Sequence, residues 1–237
     1  MSCYPEDCIQ SLLGSSDWWE KNDDGALCRG ALVSTCVQFF SSIPLELTTE
    51  RIDARNHDLA KVVARPLHAN GHRGTVESLP VAGLPRLDGA HCYVVNRAKK
   101  RPCLVLGAVD QRLIKASLIR GMSKWKGHLF FWVAPFFGVK QEARDGYNPD
   151  FVERIRHGDY RAFFWDSLPI DDGEGSILRL DQVQPVGYEH QSCKHLGWRL
   201  SKQALAIMDE WLNWLIHDTL PDNELSSFRK LVNENTA

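Results

Sequence analysis

The sequence predicts an α+β fold that is mainly β and that ends in an amphipathic helix. Short runs rich in β-branched and aromatic residues recur between turn signals, which is the pattern of strands. The clearest of these runs are at 31–40, 103–109 and 129–139. A segment at 201–217 instead repeats apolar residues at helical spacing. With 237 residues, the chain is long enough for one elaborate domain around a sizeable core.

The first third of the chain is predicted to contain an arm, strands and a loop. Residues 1–24 form the arm, with a short helix before the turn-like NDDG. The strand at 31–40 is followed by IPLELTTERI at 43–52, whose alternation of apolar and polar residues is typical of a half-buried strand. Residues 57–67 are ambiguous, and we favour a second strand. Residues 68–89 are rich in Gly and Pro without periodicity, which indicates a long loop.

The middle of the chain is predicted to alternate strands with one helix. Strands at 91–95 and 103–109 are joined by a basic turn, NRAKKRP. A helix is expected at 110–124, where apolar residues recur near helical spacing. The strand at 129–139 is apolar along its length, so it should be buried. It should stop or bend at Pro135, because proline has no N–H for the strand ladder.

The last third carries the clearest helix signals. Asn148 suits the N-cap of a helix that begins at Pro149. The run SILRLDQVQPV at 176–186 predicts a strand pair or one bent strand. The helix at 201–217 can be capped by Ser201, and its apolar residues recur on one face. The members of that face are Leu205, Met208, Trp211, Leu212 and Leu215.

Composition predicts a cytoplasmic protein without a metal or cofactor. No stretch approaches the ~20 apolar residues that span a bilayer, and the first residues lack the basic and apolar regions of a signal peptide. The seven cysteines are scattered without a C-x-x-C pair, which favours reduced thiols over structural zinc. Phosphate-cradling glycine loops and the H-E-x-x-H motif are absent.

Charge is spread unevenly along the chain. The formal net charge is −2, yet residues 97–126 hold nine basic groups against one acidic residue, Asp110, which gives this segment +8. Such asymmetry is typical of a surface that faces a polyanion on an otherwise acidic protein. A solvated helix face is the alternative interpretation, because a charge run does not reveal its own geometry.

Three blocks of sequence follow one another along the chain: KKRPCLVLGAV (99–109), SILRLDQVQPV (176–186) and HLGWRLSKQALAIMDEWLNWLI (195–216). In this order they resemble the PemK/MazF family of toxin ribonucleases. They are similar to the family's Arg-Pro with its aliphatic strand, to its late strand pair and to its closing strand and helix. GALVSTCVQF (30–39) is similar to the family's first strand, although about fifty residues separate it from Arg-Pro here. The resemblance covers roughly residues 90–217.

The resemblance implies a fold of SH3-like PemK/MazF type, a barrel with inserted segments and a C-terminal amphipathic helix. We therefore expect a single elaborated barrel domain at 25–220. Its insertions should lie at about 41–90 and 140–172, and a polar tail should follow at 221–237.

Arg101 is the residue that matches the family's catalytic arginine directly. A guanidinium beside a scissile phosphate offsets the charge that builds on its oxygens. Alternatively, Arg101 contacts backbone phosphates or an acidic partner without cleaving anything. The chain departs from the family after its third strand, where the ribonucleases carry a Thr or Ser and this sequence has Pro135, Phe136 and Phe137.

A metal-independent ribonuclease also needs groups that exchange protons with the 2′-OH and with the leaving 5′-oxygen. Tyr147 and His157 lie in a polar inserted segment, GYNPDFVERIRHGDY, and are candidates for these roles. The alternative is that this segment merely covers the barrel, with His157 at the surface.

The resulting expectation is a toxin-like endoribonuclease (a hydrolase of a toxin–antitoxin pair) that cuts single-stranded RNA without a metal. The alternatives are a catalytically degenerate barrel that binds nucleic acid or a protein, and a toxin that blocks a protein target such as a topoisomerase. Expected partners are RNA, an antitoxin or other protein and a second copy in a homodimer, and no membrane. The residues expected to bind nucleic acid are Arg97, Lys99, Lys100, Arg101, Lys124 and Lys126.

Overall fold

The computed structural model describes residues 4–13, 17–40, 43–53, 55–67, 84, 92–110, 129–140, 146–170, 175–187, 192–220 and 222–235. Nearly all of the predicted loop at 68–89 and of the predicted helix at 110–124 lies outside these residues. The described chain forms two compact units, one of residues 1–37 with 100–237 and one of residues 38–99.

The described residues are mainly in antiparallel strands, with three α-helices. In chain order the strands are β1 (Trp19–Lys21), β2 (Ala31–Phe39), β3 (Leu45–Asp53), β4 (Asn56–Pro66), β5 (Tyr93–Val95), β6 (Arg97–Asp110), β7 (Leu129–Gly138), β8 (Phe163–Ser167), β9 (Gly175–Arg179), β10 (Gln184–Gly187) and β11 (Cys193–Leu200). The helices are α1 (Pro149–Arg156), α2 (Lys202–His217) and α3 (Glu224–Asn235). The mainly β class is confirmed, and none of these helices is both long and apolar enough to cross a bilayer.

The larger unit is built on one curled antiparallel sheet in the order β1-β11-β2-β6-β7-β9-β8. Along its second edge, β7 pairs first with β10 and then with β9. The partner changes near Pro135, which has no N–H to donate. A 3₁₀ turn at Leu180–Gln182 joins β9 to β10, so the segment expected at 176–186 to be a strand pair or one bent strand forms two strands that pair with β7 in succession.

Apolar side chains fill both faces of this sheet because neighbouring residues of a strand point to opposite sides. On β6, Leu104 faces one core, which α2 and α3 complete, whereas Cys103 and Val105 face the other. The β6 strand also begins earlier than expected. Arg97–Pro102, predicted as a basic turn, continue the strand, and the break from β5 is confined to Asn96.

Helix α2 confirms the clearest signal of the sequence. The Ser201 side chain accepts the amide N–H of Ala204 and caps the helix as expected. Met208 and Trp211 are buried, and the three leucines of the predicted face are partly buried against the same core. The most buried stripe is rotated slightly from the prediction, so that Trp214 also lies inside.

Both ends of the chain are more deeply packed than predicted. The expected polar tail contains α3, in which Leu225, Phe228 and Val232 are buried. Their spacing of three and four residues makes one apolar stripe on an otherwise polar helix. At the other end, the expected arm contains a 3₁₀ turn at Ile9–Leu13 and strand β1, which pairs with β11.

Asp166 joins the two ends of the curled sheet. Its carboxylate accepts hydrogen bonds from the indole N–H groups of Trp18 (3.1 Å) and Trp19 (3.3 Å) and from the hydroxyl of Tyr4 (3.0 Å). Trp18 and Trp19 lie at or beside β1, whereas Asp166 belongs to β8, the last strand at the opposite end. Trp18 also stacks on Phe164 at 5.6 Å. Within the described strands, these side chains therefore connect the two edge strands of the sheet, which backbone hydrogen bonds do not join.

We expect Asp166 to make the stability of the fold pH-dependent. Complete burial raises the pKa of this carboxyl from 3.8 to about 7, although the bonds from Tyr4, Trp19 and Trp18 act to lower it. Between pH 4 and 7 the folded state therefore holds a proton that the unfolded chain has released. Stability from this group should fall by about 1 kcal/mol per pH unit as the pH rises through that window.

Urea unfolding across this pH range measures the effect. Asp166→Asn should remove that fall, because the amide does not titrate. The exposed Asp17 offers a control, and Asp17→Asn should retain the wild-type slope. An unchanged slope in Asp166→Asn would show that Asp166 is ionised in the folded state throughout the window.

The smaller unit is a three-stranded antiparallel sheet in the order β4-β3-β5. Its bounds, 38–99, lie close to the insertion expected at 41–90. The strand favoured for 57–67 is confirmed as β4, which pairs with β3 along nearly its whole length.

Candidate functional site

Arg101 lies near the start of β6, with its guanidinium carbon 3.8 Å from the centre of the Phe137 ring. Cys103 pairs with Pro135, so two residues further along the antiparallel strands Arg101 comes opposite Phe137. The side chain is half-buried. Burial lowers the pKa of Arg101, and the nearby Tyr147 raises it in part. Since an arginine titrates so far above neutrality, the group still carries its positive charge.

A second arginine approaches the same ring from β9. The guanidinium carbon of Arg179 lies 5.5 Å from the centre of the Phe137 ring and 4.9 Å from that of Phe163. Its Nε and Nη2 donate to the two carboxylate oxygens of Asp181 at 2.7 and 2.5 Å. This two-pronged bond is the first cause of the raised pKa of Arg179. The bond also restricts the guanidinium to one orientation.

Tyr147 completes the group. Its side chain lies near both guanidinium groups and acts to raise the pKa of Arg179 and of Arg101. The residue is positioned by the start of α1, where Asn148 accepts the N–H of Asp150 at 2.8 Å as the predicted N-cap. We call Arg101, Phe137, Tyr147, Arg179 and Asp181 the Arg101 cluster.

The Arg101 cluster has the composition of an oxyanion site. Two guanidinium groups contact one aromatic ring, which holds both of them in place before a ligand binds. Binding therefore costs less side-chain entropy than it would for a freely rotating arginine. A phenol hydroxyl and a carboxylate accompany them, and both can exchange protons. Planar guanidinium groups match the oxygens of a phosphate in geometry as well as charge.

The structure therefore brings together two of the three predicted catalytic residues, Arg101 and Tyr147. His157 lies elsewhere, at the C-cap of α1 and so at the opposite end of that helix from Tyr147. It is 4% exposed, and its Nε2 lies 3.0 Å from an Asp7 carboxylate oxygen that also binds Arg156. His157 is thus an interior residue that ties α1 to the N-terminal segment, and it is not the surface residue of the alternative interpretation.

The predicted nucleic-acid-binding residues are found in several places. Lys100 is exposed and, as the neighbour of Arg101 on a strand, points to the other side of β6. Arg97 and Lys99 are exposed residues of the smaller unit, where Arg97 lies 5.3 Å from the centre of the Phe39 ring. Lys124 and Lys126 lie outside the described residues. The contiguous basic strip therefore stays a prediction.

Sequence reasoning missed Arg179 and Asp181. A signal for them exists, because Arg179 is the only basic residue of the block SILRLDQVQPV and an acidic residue follows two positions later. Within the described part of the chain, no three His, Cys, Asp or Glu residues are grouped as they would be to hold a metal ion.

Comparison of the chain with protein-family models, with curated proteins and with solved structures finds no match. The chemistry of the Arg101 cluster therefore carries the functional interpretation.

Proposed function

We propose that this chain is an endoribonuclease resembling the PemK/MazF toxins, and that it cuts single-stranded RNA at the Arg101 cluster without a metal ion. The observation that carries the proposal is the contact of Arg101 and Arg179 with one ring, Phe137, in a cluster that also contains Tyr147. In this proposal the curled sheet with its C-terminal α2 is an SH3-like barrel of the family's type, elaborated by the smaller unit and by the segment that contains α1.

The two arginines bind the scissile phosphate and offset the charge that develops on its non-bridging oxygens. The 2′-oxygen attacks phosphorus and gives up its proton, the bond to the 5′-oxygen breaks, and the leaving oxygen takes a proton. A 2′,3′-cyclic phosphate and a free 5′-hydroxyl result. Tyr147 and Asp181 are the proton-exchanging groups of the cluster, so these transfers fall to them and not to the distant His157.

A second candidate function, RNA binding without cleavage, is favoured by one specific observation. The end of β7, where the family's ribonucleases carry a Thr or Ser, consists here of apolar residues, and Phe137 is covered by both guanidinium groups. A barrel that has lost this hydroxyl would retain the phosphate contacts and lose the ability to cleave RNA.

Incubation of the wild-type protein with a long RNA of mixed sequence, in the presence of EDTA, separates the two functions. Cleavage to fragments with cyclic phosphate ends supports the nuclease. Binding of intact RNA supports the second candidate, and the absence of both contradicts each. Overexpression adds a check in cells, because growth arrest with intact RNA would instead indicate a protein target.

A further inference from the structure

Three arginines and three aromatic rings form one continuous row on the larger unit. Arg101 contacts Phe137, Arg179 contacts both Phe137 and Phe163, and Arg154 lies 5.0 Å from the centre of the Tyr160 ring. The rings of Phe163 and Tyr160 meet edge to face at 6.1 Å and so close the gap in the row. We call these six residues the arginine–aromatic row.

The outer half of the row belongs to the inserted segment that carries α1. Phe151 of α1 packs against Tyr147 at 6.0 Å, against Tyr160 at 5.3 Å and against Phe163 at 5.7 Å. These contacts dock the segment on β8, so the position of Arg154 relative to Arg179 is set by packed rings. The Nε of Arg154 donates to Asp159 at 2.8 Å, which holds the side chain across Tyr160.

Arg154 and Arg179 are each oriented by an aspartate before any ligand arrives, and such a bond uses only part of the N–H donors of a guanidinium. Arginine has five such donors, and Arg154 gives one of them to Asp159. Tyr160 and Phe163 are half-buried and Phe137 is buried, so two of the three aromatic residues are partly exposed beside the charged groups. Alternating cations and aromatic rings are the arrangement by which proteins follow a single-stranded nucleic acid.

The charge of the row limits how the ligand is attracted. Asp159 and Asp181 offset two of its three positive charges, which leaves a net charge of about +1. Long-range attraction is therefore weak, and affinity must come from local contacts. If each arginine binds one phosphate of a single strand, the slope of log affinity against log salt should be about −2.

From this arrangement we infer that single-stranded RNA extends from the Arg101 cluster along the arginine–aromatic row, and that Arg154 holds a phosphate beyond the cleaved one. The inference rests on the proposed RNA-binding function and deepens it. It gives the inserted segment a substrate-binding role and requires a substrate longer than the two nucleotides at the cleaved bond.

Binding of 2′-O-methyl RNA, which lacks the attacking hydroxyl and is not cut, tests the inference. In Arg154→Ala, affinity for an octanucleotide should fall about tenfold and the salt slope should lose about 0.7. Affinity for a dinucleotide should be unchanged, because it ends at the Arg101 cluster. Arg29→Ala is the matched control, since Arg29 is also an exposed, ion-paired arginine but is paired with Asp209 of α2. That variant should bind both oligonucleotides like the wild type.

The possible results distinguish RNA binding along the arginine–aromatic row from the proposed cleavage of RNA. If Arg154→Ala binds the octanucleotide as tightly as the wild type does, RNA does not bind along the arginine–aromatic row, even if the wild-type protein cleaves RNA. A selective loss of octanucleotide binding in a protein that cuts no RNA would support the row and contradict the nuclease. Failure of the wild type to bind either oligonucleotide would overturn both.

Discussion

Arg101→Ala is expected to lower the rate of RNA cleavage by about 10²–10³, the cost of removing one preorganised group that stabilises developing negative charge. Arg101 contacts Phe137 and interacts with Tyr147, so its guanidinium is already in place when the substrate binds. The fold should lose only about 1 kcal/mol, the size of one cation–π contact at a partly exposed site. Activity should therefore fall in a protein that remains folded.

Arg101→Lys separates charge from geometry at the same position. Lysine restores the positive charge, so salt-dependent RNA binding should largely return. It lacks the planar fork that stacks on Phe137 and matches two phosphate oxygens, so cleavage should stay low. The measurement is cleavage of a long mixed-sequence RNA with EDTA by the wild type, both Arg101 variants and Arg29→Ala. Equal activity in all four proteins would rule out Arg101 as the catalytic arginine.

Trp211→Ala is expected to lower the free energy of unfolding by about 3–5 kcal/mol. Trp211 is 0% exposed and packs edge to face against Phe164 and Trp214, each at 5.1 Å. Its indole N–H donates to the carbonyl oxygen of Arg161 at 2.9 Å, and alanine would leave that acceptor without this donor. The substitution therefore opens a cavity at the point where α2 meets the sheet.

Chemical denaturation of Trp211→Ala and of a control on the same helix measures this cost. Ile216 is 70% exposed, so Ile216→Ala should change stability by less than about 0.5 kcal/mol. Similar values for the two variants would mean that the apolar face of α2 does not form the core. The backbone packs closely against this ring at Gly158, where an added Cβ would lie 3.2 Å from Trp211.

Elements with a strong local signal could be predicted from the sequence. The caps Asn148 and Ser201 gave the starts of α1 and α2, because each satisfies amide groups within its own first turn. Alternation also predicted a strand at β3, but not its buried face, because Glu46 and Thr49 are buried there while Leu45 and Ile52 are exposed. In contrast, the sequence indicates a polar tail at α3, because the three buried residues of that helix are diluted among polar ones.

Contacts between distant parts of the chain could not be predicted in the same way. Trp18 and Asp166 are 148 positions apart, and no periodicity links an adjacent tryptophan pair to one buried carboxylate. In the candidate site, a family resemblance indicated Arg101 and a polar segment indicated Tyr147. Arg179 reaches them only because β7 and β9 pair, which a single sequence does not reveal.

In the proposed function, an RNA phosphate binds between Arg101 and Arg179. NMR of the arginine Nε–H groups during titration with 2′-O-methyl RNA tests it directly, because each side chain reports its own contacts. The resonances of Arg101 and Arg179 are expected to shift with a common affinity, while those of Arg29 and Arg199, which are paired with Asp209 and Glu20, stay unchanged. Bound RNA that leaves Arg101 and Arg179 unshifted would contradict the account.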